Sequence, residues 1–173
     1  MAAPTADQDA LYGRLAASYG AALERLAGGY ESDSDKRRDL LQDIHLALWR
    51  SLDHFAGRCS LRTWVYRVAH NTAISHISRR RARAPALVSL DEVATLADGG
   101  DAASALDRRL ALDRLYTLVQ RLTVVDRQVI LLYLEDLDAA SIGEIVGLSP
   151  SNVATKVHRI KEVLSHRFHG RTR

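Results

Sequence analysis

Aromatic and basic side chains alternate between residues 55 and 70. The rings belong to Phe55, Trp64, Tyr66 and His70, and the guanidinium groups to Arg58, Arg62 and Arg67. Rings on which bases can stack, beside cations that contact phosphate, are the residue types that bind single-stranded or unstacked DNA. The alternative, in which Trp64 is a core residue and Tyr66 a surface residue, stays open at this point.

A second candidate nucleic-acid site lies near the carboxy-terminal end, where residues 138–164 have the pattern of a helix-turn-helix. Asp138 precedes a short apolar helix, Gly147 ends it, and Ser149 with Pro150 begins a longer one. The exposed positions of that last helix are polar or small, as in major-groove binding helices: Ser151, Asn152, Ala154, Thr155, Lys156, His158 and Arg159. We expect Lys161 to contact phosphate only. The alternative is a helical hairpin with a solvated polar face.

The charge distribution supports two contacts with a polyanion. The formal net charge is only +3, yet residues 54–84 carry seven arginines and no acidic residue, and residues 149–173 carry six basic residues and one acidic residue. Two separated basic blocks indicate nucleic acid as the partner, although one such block alone is also typical of a solvated face. The first block adds Arg79 and Arg80 to the predicted DNA contacts.

The sequence has no motif for catalysis. It contains no glycine-rich phosphate loop, no HExxH and no nucleophile motif with a base. The single cysteine, Cys59, can form neither an internal disulfide nor a zinc site by itself. No apolar run approaches ~18 residues, and the first residues lack a signal-peptide pattern. We therefore expect a cytoplasmic, non-enzymatic protein with no membrane insertion, no cofactor and no metal.

Helical periodicity predicts the elements that position these residues. Apolar residues recur at three- and four-residue steps from Asp9 to Ala27, and Gly28-Gly29 is predicted to end this first helix. The segment Ser32–Asp35 offers N-caps for a second helix, and a third begins near Ser60. Further along, Thr123 is the predicted N-cap of another helix, with Asp126 completing a capping box.

These helices predict an all-α fold of two small helical domains joined by a flexible linker, the second domain containing the helix-turn-helix. The first domain spans residues 1–84 and the second residues 105–173. Between them, residues 85–104 combine proline, a glycine pair, small residues and four acidic residues, which is typical of a linker.

Two stretches resemble the bacterial RNA polymerase sigma factors, most closely the extracytoplasmic-function (ECF) subfamily. In the first domain the resemblance is carried by Asp39–Ile44, Leu48–Arg50, Phe55 and the string Ser60–Asn71, which reads SLRTWVYRVAHN. In the second it is carried by the segment from Asp126-Arg127-Gln128-Val129-Ile130 to His158-Arg159. The resemblance covers about residues 8–168 and includes both domains in order.

The resemblance implies three functional surfaces. The second helix would bind the polymerase β′ subunit through Asp39, Leu40, Gln42, Asp43, Leu46 and Trp49. The minus-ten promoter element would be recognised and melted by Phe55, Arg58, Ser60, Arg62, Arg67, His70, Asn71, Arg79 and Arg80. The last helix would read the minus-thirty-five element through Ser151, Asn152, Ala154, Thr155, Lys156, His158, Arg159 and Lys161.

By the same resemblance, the partners are the β′ and β subunits of core RNA polymerase, promoter DNA and an anti-sigma factor. The function implied is promoter recognition, DNA melting and transcription initiation. The alternative is a conventional helix-turn-helix regulator whose amino-terminal domain dimerises or binds an effector. The segment 39–71 discriminates between the two, because a conventional regulator has no need to match it.

Overall fold

The computed structural model describes residues 6–83 and 105–169, and this part of the chain folds into seven α-helices without a strand. The helices are α1 (Ala6–Tyr30), α2 (Ser34–Ser51), α3 (Leu61–Arg83), α4 (Ala105–Gln120), α5 (Val124–Leu134), α6 (Ala139–Val146) and α7 (Pro150–His169), with a 3₁₀ turn at Leu52–His54. The predicted all-α class is confirmed. The predicted linker, residues 85–104, lies outside the described residues. No described helix has both the length and the hydropathy needed to cross a membrane.

Helices α1, α2 and α3 pack into the amino-terminal domain. Its fully buried side chains repeat at helical spacing, so that each helix turns one apolar face inward; they include Leu23, Leu26, Leu40, Ile44, Leu48, Val65 and Ala69. Asp33 caps α2 by accepting hydrogen bonds from the backbone of Asp35 and Lys36. Ser60 caps α3, since its Oγ accepts from the Thr63 amide at 3.0 Å.

Helices α4 to α7 form the carboxy-terminal domain. Its core contains Val119, Val129, Leu132, Ile142, Val153 and Ile160, all at most 2% exposed. Thr123 and Asp138 cap α5 and α6 as the sequence predicts. Gly147 ends α6 with φ of 75°, a left-handed conformation that favours glycine.

The prediction that Gly28-Gly29 ends the first helix is wrong, because α1 continues to Tyr30. The two glycines instead allow the carboxy-terminal domain to approach closely. A Cβ at Gly29 would lie 2.5 Å from the Leu131 side chain, and one at Gly28 would lie 3.2 Å from the Tyr116 ring. The glycine pair thus serves packing between domains rather than helix termination.

The two domains share an interface made by α1 and α3 on one side and α4, α5 and α6 on the other. Gln120 Nε2 donates to the Gly28 carbonyl at 2.9 Å, and the guanidinium of Arg127 lies 5.5 Å from the centre of the Tyr30 ring. Arg25 and Glu135 form an ion pair at 2.7 Å across the same boundary. The buried side chains of both domains consequently form one continuous cluster.

Candidate nucleic-acid and polymerase interfaces

The predicted polymerase-binding residues lie on α2, and most of them are accessible. Asp39 and Gln42 are exposed, Leu46 is 43% exposed, and Asp43 is half-buried. Trp49 is also half-buried, and its indole Nε1 donates to Asp9 Oδ1 at 3.0 Å, which holds the start of α1 against α2.

Leu40 is an exception among these residues. Its side chain is 0% exposed and belongs to the amino-terminal core. The prediction that Leu40 contacts a partner is therefore corrected: at helical spacing it faces α1 and α3, while Asp39 and Gln42 point outward.

A groove between α2 and α3 brings predicted polymerase contacts next to predicted DNA contacts. Asp43, Leu46, Asn71 and Arg79 line it together. Asp43 Oδ2 lies 3.4 Å from Arg79 Nη2 and 3.1 Å from His76 Nδ1. The Asn71 side chain is exposed here, with its amide available to a ligand.

Among the predicted DNA contacts in the loop before α3, one is exposed and the others contact residues of the protein itself. Arg58 is exposed, and Phe55 is half-buried with its ring centre 5.3 Å from that of Trp64. The Ser60 hydroxyl is already used, because it donates to Thr63 Oγ1 at 2.8 Å and accepts from the Thr63 amide. Ser60 is thus a cap whose hydroxyl is engaged within the protein.

Besides Arg79, three other arginines predicted to contact the minus-ten element are engaged in ionic or hydrogen-bonded contacts. Arg80 pairs with the buried carboxylate of Glu31. Arg62 donates to the Glu135 carbonyl oxygen, and Arg67 Nη2 donates to Glu144 Oε1 at 3.1 Å. The last two contacts cross from the amino-terminal domain to the carboxy-terminal domain.

His70 is not part of a DNA surface, which corrects its predicted role. The residue is 0% exposed, and its Nδ1 lies 2.8 Å from the Tyr30 hydroxyl. Burial lowers the pKa of His70 to about 3, so the ring is neutral. The alternative in which Tyr66 is a surface residue is wrong, because Tyr66 is 2% exposed. Its hydroxyl donates to Glu135 Oε2 at 3.2 Å.

The carboxy-terminal helix-turn-helix has the predicted internal packing. Ile142, Val153 and Val157 are buried between α6 and α7, with Ile145 and Leu148 packed against them. Ser149 caps α7 as predicted, because its Oγ accepts from the Asn152 amide at 3.2 Å. The cap pairs a backbone amide in the first turn of α7, where Ser151 and Asn152 are exposed.

The solvent-facing side of α7 holds nearly all the residues predicted to contact the minus-thirty-five element. Its exposed members are Ser151, Asn152, Ala154, Thr155, His158, Arg159 and Lys161. Lys156 is half-buried instead, because its Nζ donates to Asp126 Oδ1 at 2.7 Å. Arg159 Nη2 lies 3.8 Å from the same carboxylate and is 64% exposed, so its guanidinium can still reach a ligand.

Asp126 forms ion pairs with two basic residues of α7, Lys156 and Arg159. Burial alone would raise the pKa of Asp126, but hydrogen bonds from Lys156 and Thr123 outweigh it and hold the pKa below its ordinary value. The sequence predicts Asp126 as a capping residue and gives no sign of its contact with Lys156, which lies 30 positions further along the chain.

Sequence reasoning missed Arg25, Glu135 and Glu144, which join the two domains. Arg25 and Glu135 are separated by 110 positions, and neither belongs to a recognisable motif. In the described ranges, no group of three His, Cys, Asp or Glu side chains is placed to hold a metal ion.

Comparisons with known proteins agree with this geometry. A family model described as Sigma-70 region 2 matches residues 15–83, and one described as Sigma-70, region 4 matches residues 112–164. The first covers the groove between α2 and α3, and the second covers the helix-turn-helix. A conventional regulator would not require the first match, so that alternative is not favoured.

Individual relatives give the same result. The chain is 44% identical to the ECF RNA polymerase sigma factor SigG of Mycobacterium tuberculosis over 45 residues, which are 26% of this chain and only 12% of SigG. It is 31% identical to the RNA polymerase sigma factor YlaC of Bacillus subtilis over 128 residues, which are 72% of each chain. The solved structure of the sigma factor RpoE in complex with the anti-sigma factor NepR, from Bartonella quintana, shares the fold with a TM-score of 0.69 at 19% identity, over 94% of this chain and 98% of RpoE. The chain therefore belongs to the sigma-70 family, within its extracytoplasmic-function group.

Proposed function

We propose that the chain is a promoter-specificity subunit that binds core RNA polymerase, recognises two promoter elements and opens the DNA for transcription initiation. The observation that carries the proposal is the presence of two differently built surfaces in one chain. The first is the groove between α2 and α3, lined by Asp43, Leu46 and Asn71. The second is the capped, solvent-facing side of α7.

The two surfaces suit different forms of DNA. The side of α7 is polar in its first turns and basic in the next, which suits the major groove of a duplex minus-thirty-five element. The loop before α3 contains the half-buried ring of Phe55 and the exposed Arg58, and Asn71 exposes its amide further along α3. Rings, cations and amides of this kind suit an unstacked base of the minus-ten element. Neither role requires a cofactor or a catalytic group, because DNA opening draws on binding free energy.

Two observations support the proposed protein partners: the exposed residues of α2, and the structural similarity to RpoE. The exposed residues Asp39, Gln42 and Leu46 of α2 are the proposed contact with the β′ subunit, and the β subunit completes the core-enzyme partner. The structural relative RpoE is in complex with an anti-sigma factor, and we propose an anti-sigma factor as a partner of this chain as well. All of these partners are expected in the cytoplasm.

The test is run-off transcription on fragmented genomic DNA with core RNA polymerase from the organism that encodes the chain. We expect discrete new start sites with the chain and none without it. Leu46→Asp should remove both polymerase binding and these transcripts, whereas Arg38→Ala, an exposed change on the same helix, should preserve both. Transcripts that are the same with and without the chain would contradict the proposed function.

A further inference from the structure

One face of α7 carries a strip of four exposed residues, here called the outer strip: Ser151, Ala154, Thr155 and His158. Their spacing of three and four positions places them on the same side of the helix. Val153 and Val157 lie on the other side and are buried. The outer strip is therefore the part of α7 that would face the floor of a major groove, where side chains meet the edges of the bases.

The long basic side chains beside the outer strip are held at its two flanks by residues of α5. Lys156 Nζ donates to Asp126 Oδ1 at 2.7 Å, and Arg159 Nη2 lies 3.8 Å from the other oxygen of the same carboxylate. On the opposite flank, Lys161 Nζ lies 5.4 Å from the centre of the Tyr133 ring and 3.4 Å from the Tyr133 hydroxyl. These positions suit contacts with the phosphates that border a groove rather than with the bases at its centre.

Thr155, at the centre of the outer strip, offers a methyl group but no hydroxyl proton. Its Oγ1 donates to the Ser151 carbonyl at 3.0 Å, so the proton of this hydroxyl is already used within the helix. Guanine presents only acceptors, N7 and O6, at its major-groove edge and needs a donor from the protein. Thr155 thus lacks a donor for guanine, while its side chain stays exposed and carries an apolar methyl group.

Ala154 places a second methyl group next to Thr155. It lines an apolar groove together with Tyr133 and Ala139. The alanine side chain has neither a donor nor an acceptor, so it can distinguish base pairs only by apolar contact. His158 extends toward the following turn, with Nε2 at 3.4 Å from Glu162 Oε1. The centre of the outer strip consequently presents two neighbouring methyl groups.

We propose that Ala154 and Thr155 are specificity-determining residues that recognise the C5 methyl groups of adjacent thymines in the minus-thirty-five element. Among the four DNA bases, thymine is the one that carries a methyl group in the major groove. Arg159 and Lys161 supply phosphate contacts that strengthen binding to every sequence alike. The place of these thymines in a promoter rests on the proposed function, whereas the preference for their methyl groups is a property of the chain with duplex DNA.

The first test identifies the preferred sequence with the full chain. Duplex DNA with a short randomised stretch is incubated with the chain, and the bound duplexes are sequenced. We expect enrichment of adjacent T·A pairs. Replacing either thymine of a fluorescein-labelled selected duplex by deoxyuridine removes only the methyl group. Each replacement should weaken binding, measured by fluorescence anisotropy, by about fourfold, which corresponds to the ~0.8 kcal/mol of one buried carbon group.

The second test assigns each methyl group to its residue. Thr155→Ser keeps the hydroxyl and removes the methyl group, so it should weaken binding to the thymine duplex by about fourfold. It should lose nothing further when the matching thymine is replaced by deoxyuridine, because the two changes remove the same contact. Ala154→Gly should give the same pattern at the neighbouring thymine.

Thr117→Ser is the matched control for Thr155→Ser. Thr117 lies in α4, outside the helix-turn-helix, and its Oγ1 donates to the Asp113 carbonyl at 2.8 Å, the same bond to the fourth preceding residue. The control therefore removes the same methyl group from a threonine with the same hydrogen bond. It should bind the thymine and deoxyuridine duplexes as the parent chain does.

Equal binding of the thymine and deoxyuridine duplexes by the parent chain would overturn the proposal, as would a selection that enriches guanine or no sequence. A Thr155→Ser variant that still distinguishes the two duplexes at every position would overturn the role of Thr155. A chain that discriminates the methyl group yet produces no start sites with core polymerase would contradict the proposed function alone. Start sites together with equal binding of the two duplexes would overturn the role of Ala154 and Thr155 alone.

Discussion

The carboxylate of Asp126 accepts a hydrogen bond from Lys156 Nζ at 2.7 Å and thereby ties the first turn of α5 to α7. Asp126 is 9% exposed, and Thr123 caps the same turn. Lys156 therefore stabilises the carboxy-terminal domain in addition to any contact with DNA, whereas Lys161, on the exposed side of the same helix, is available mainly to phosphate.

Lys156→Ala and Lys161→Ala should therefore differ in the free energy of unfolding that each variant loses. Lys156→Ala leaves a largely buried carboxylate without its nearest partner and should lower the free energy of unfolding by about 1–3 kcal/mol. Lys161→Ala should lower it by less than about 1 kcal/mol, since the lost contacts are exposed ones: a cation–π contact with the Tyr133 ring and a hydrogen bond from Nζ to the Tyr133 hydroxyl at 3.4 Å. In titrations of a promoter fragment at several salt concentrations, Lys161→Ala should reduce the salt slope by about one. An equal loss of unfolding free energy in both variants would contradict the stabilising role of Lys156.

Leu40 and Leu46 provide a matched pair on α2. Leu40 is fully buried, so Leu40→Ala should lower the free energy of unfolding by about 2–5 kcal/mol. Leu46 is 43% exposed, so Leu46→Asp should leave the free energy of unfolding nearly unchanged but abolish binding to core polymerase. Urea denaturation and co-migration with core enzyme measure the two effects. Retained binding by a folded Leu46→Asp variant would remove this face of α2 from the proposed contact.

The parts of the fold that depend on neighbouring residues could be predicted from the sequence. Thr123, Asp138 and Ser149 each accept a hydrogen bond from an amide three positions further on, so the pattern that predicts the cap also contains its partner. The same holds for Gly147, whose left-handed conformation ends a local helix.

Contacts between distant residues could not be predicted in this way. The sequence predicts that Gly29 ends a helix, because glycine tolerates the left-handed conformation. Its packing role depends on Leu131, which lies in the other domain and about 100 positions away. His70 was assigned to DNA from the residue types around it, while its burial depends on Tyr30, 40 positions away. Motif reasoning identifies which residue types occur together, but only tertiary packing decides which of them face solvent.

Gly147→Ala should destabilise the helix-turn-helix for a backbone reason alone. A Cβ there meets nothing within 4 Å, so the loss of about 1–2 kcal/mol comes from forcing alanine to a φ of 75°. Gly20→Ala is the control, because position 20 lies inside α1 in equally open space and alanine is the better helix former by about 0.5–1 kcal/mol. Thermal melting should therefore shift in opposite directions for the two variants, and a shift in the same direction would contradict this account.

The buried pair of His70 and Tyr30 should make stability depend on pH. His70 has a pKa of about 3 in the folded protein and an ordinary value of 6.5 when unfolded. Between these values the unfolded chain binds the extra proton, so the contribution of His70 to stability is complete above pH 6.5 and is lost progressively as pH falls toward 3.

His70→Gln should flatten this dependence, because glutamine does not titrate and can still accept a hydrogen bond from Tyr30. Urea denaturation at a series of pH values from neutral to mildly acidic gives the measurement. The His76→Gln variant is the control, since His76 pairs with Asp43 near the surface. An unchanged pH dependence in His70→Gln would show that other groups cause the acid sensitivity.

Asn71 should act on melted DNA rather than on duplex DNA. Its exposed amide lines the groove between α2 and α3 and can pair with the edge of a base that has left the stack. Asn71→Ala should therefore slow open-complex formation while leaving closed-complex affinity within about a factor of two, because unstacking costs a few kcal/mol that a lost hydrogen bond no longer offsets. Ser75→Ala, which removes a hydroxyl from the same groove one turn along α3, is the matched control. Permanganate footprinting of unpaired thymines measures opening, and a promoter gel shift on ice measures closed-complex binding. Equal losses in both assays would assign Asn71 to general DNA binding, and no loss in either would exclude it from base capture.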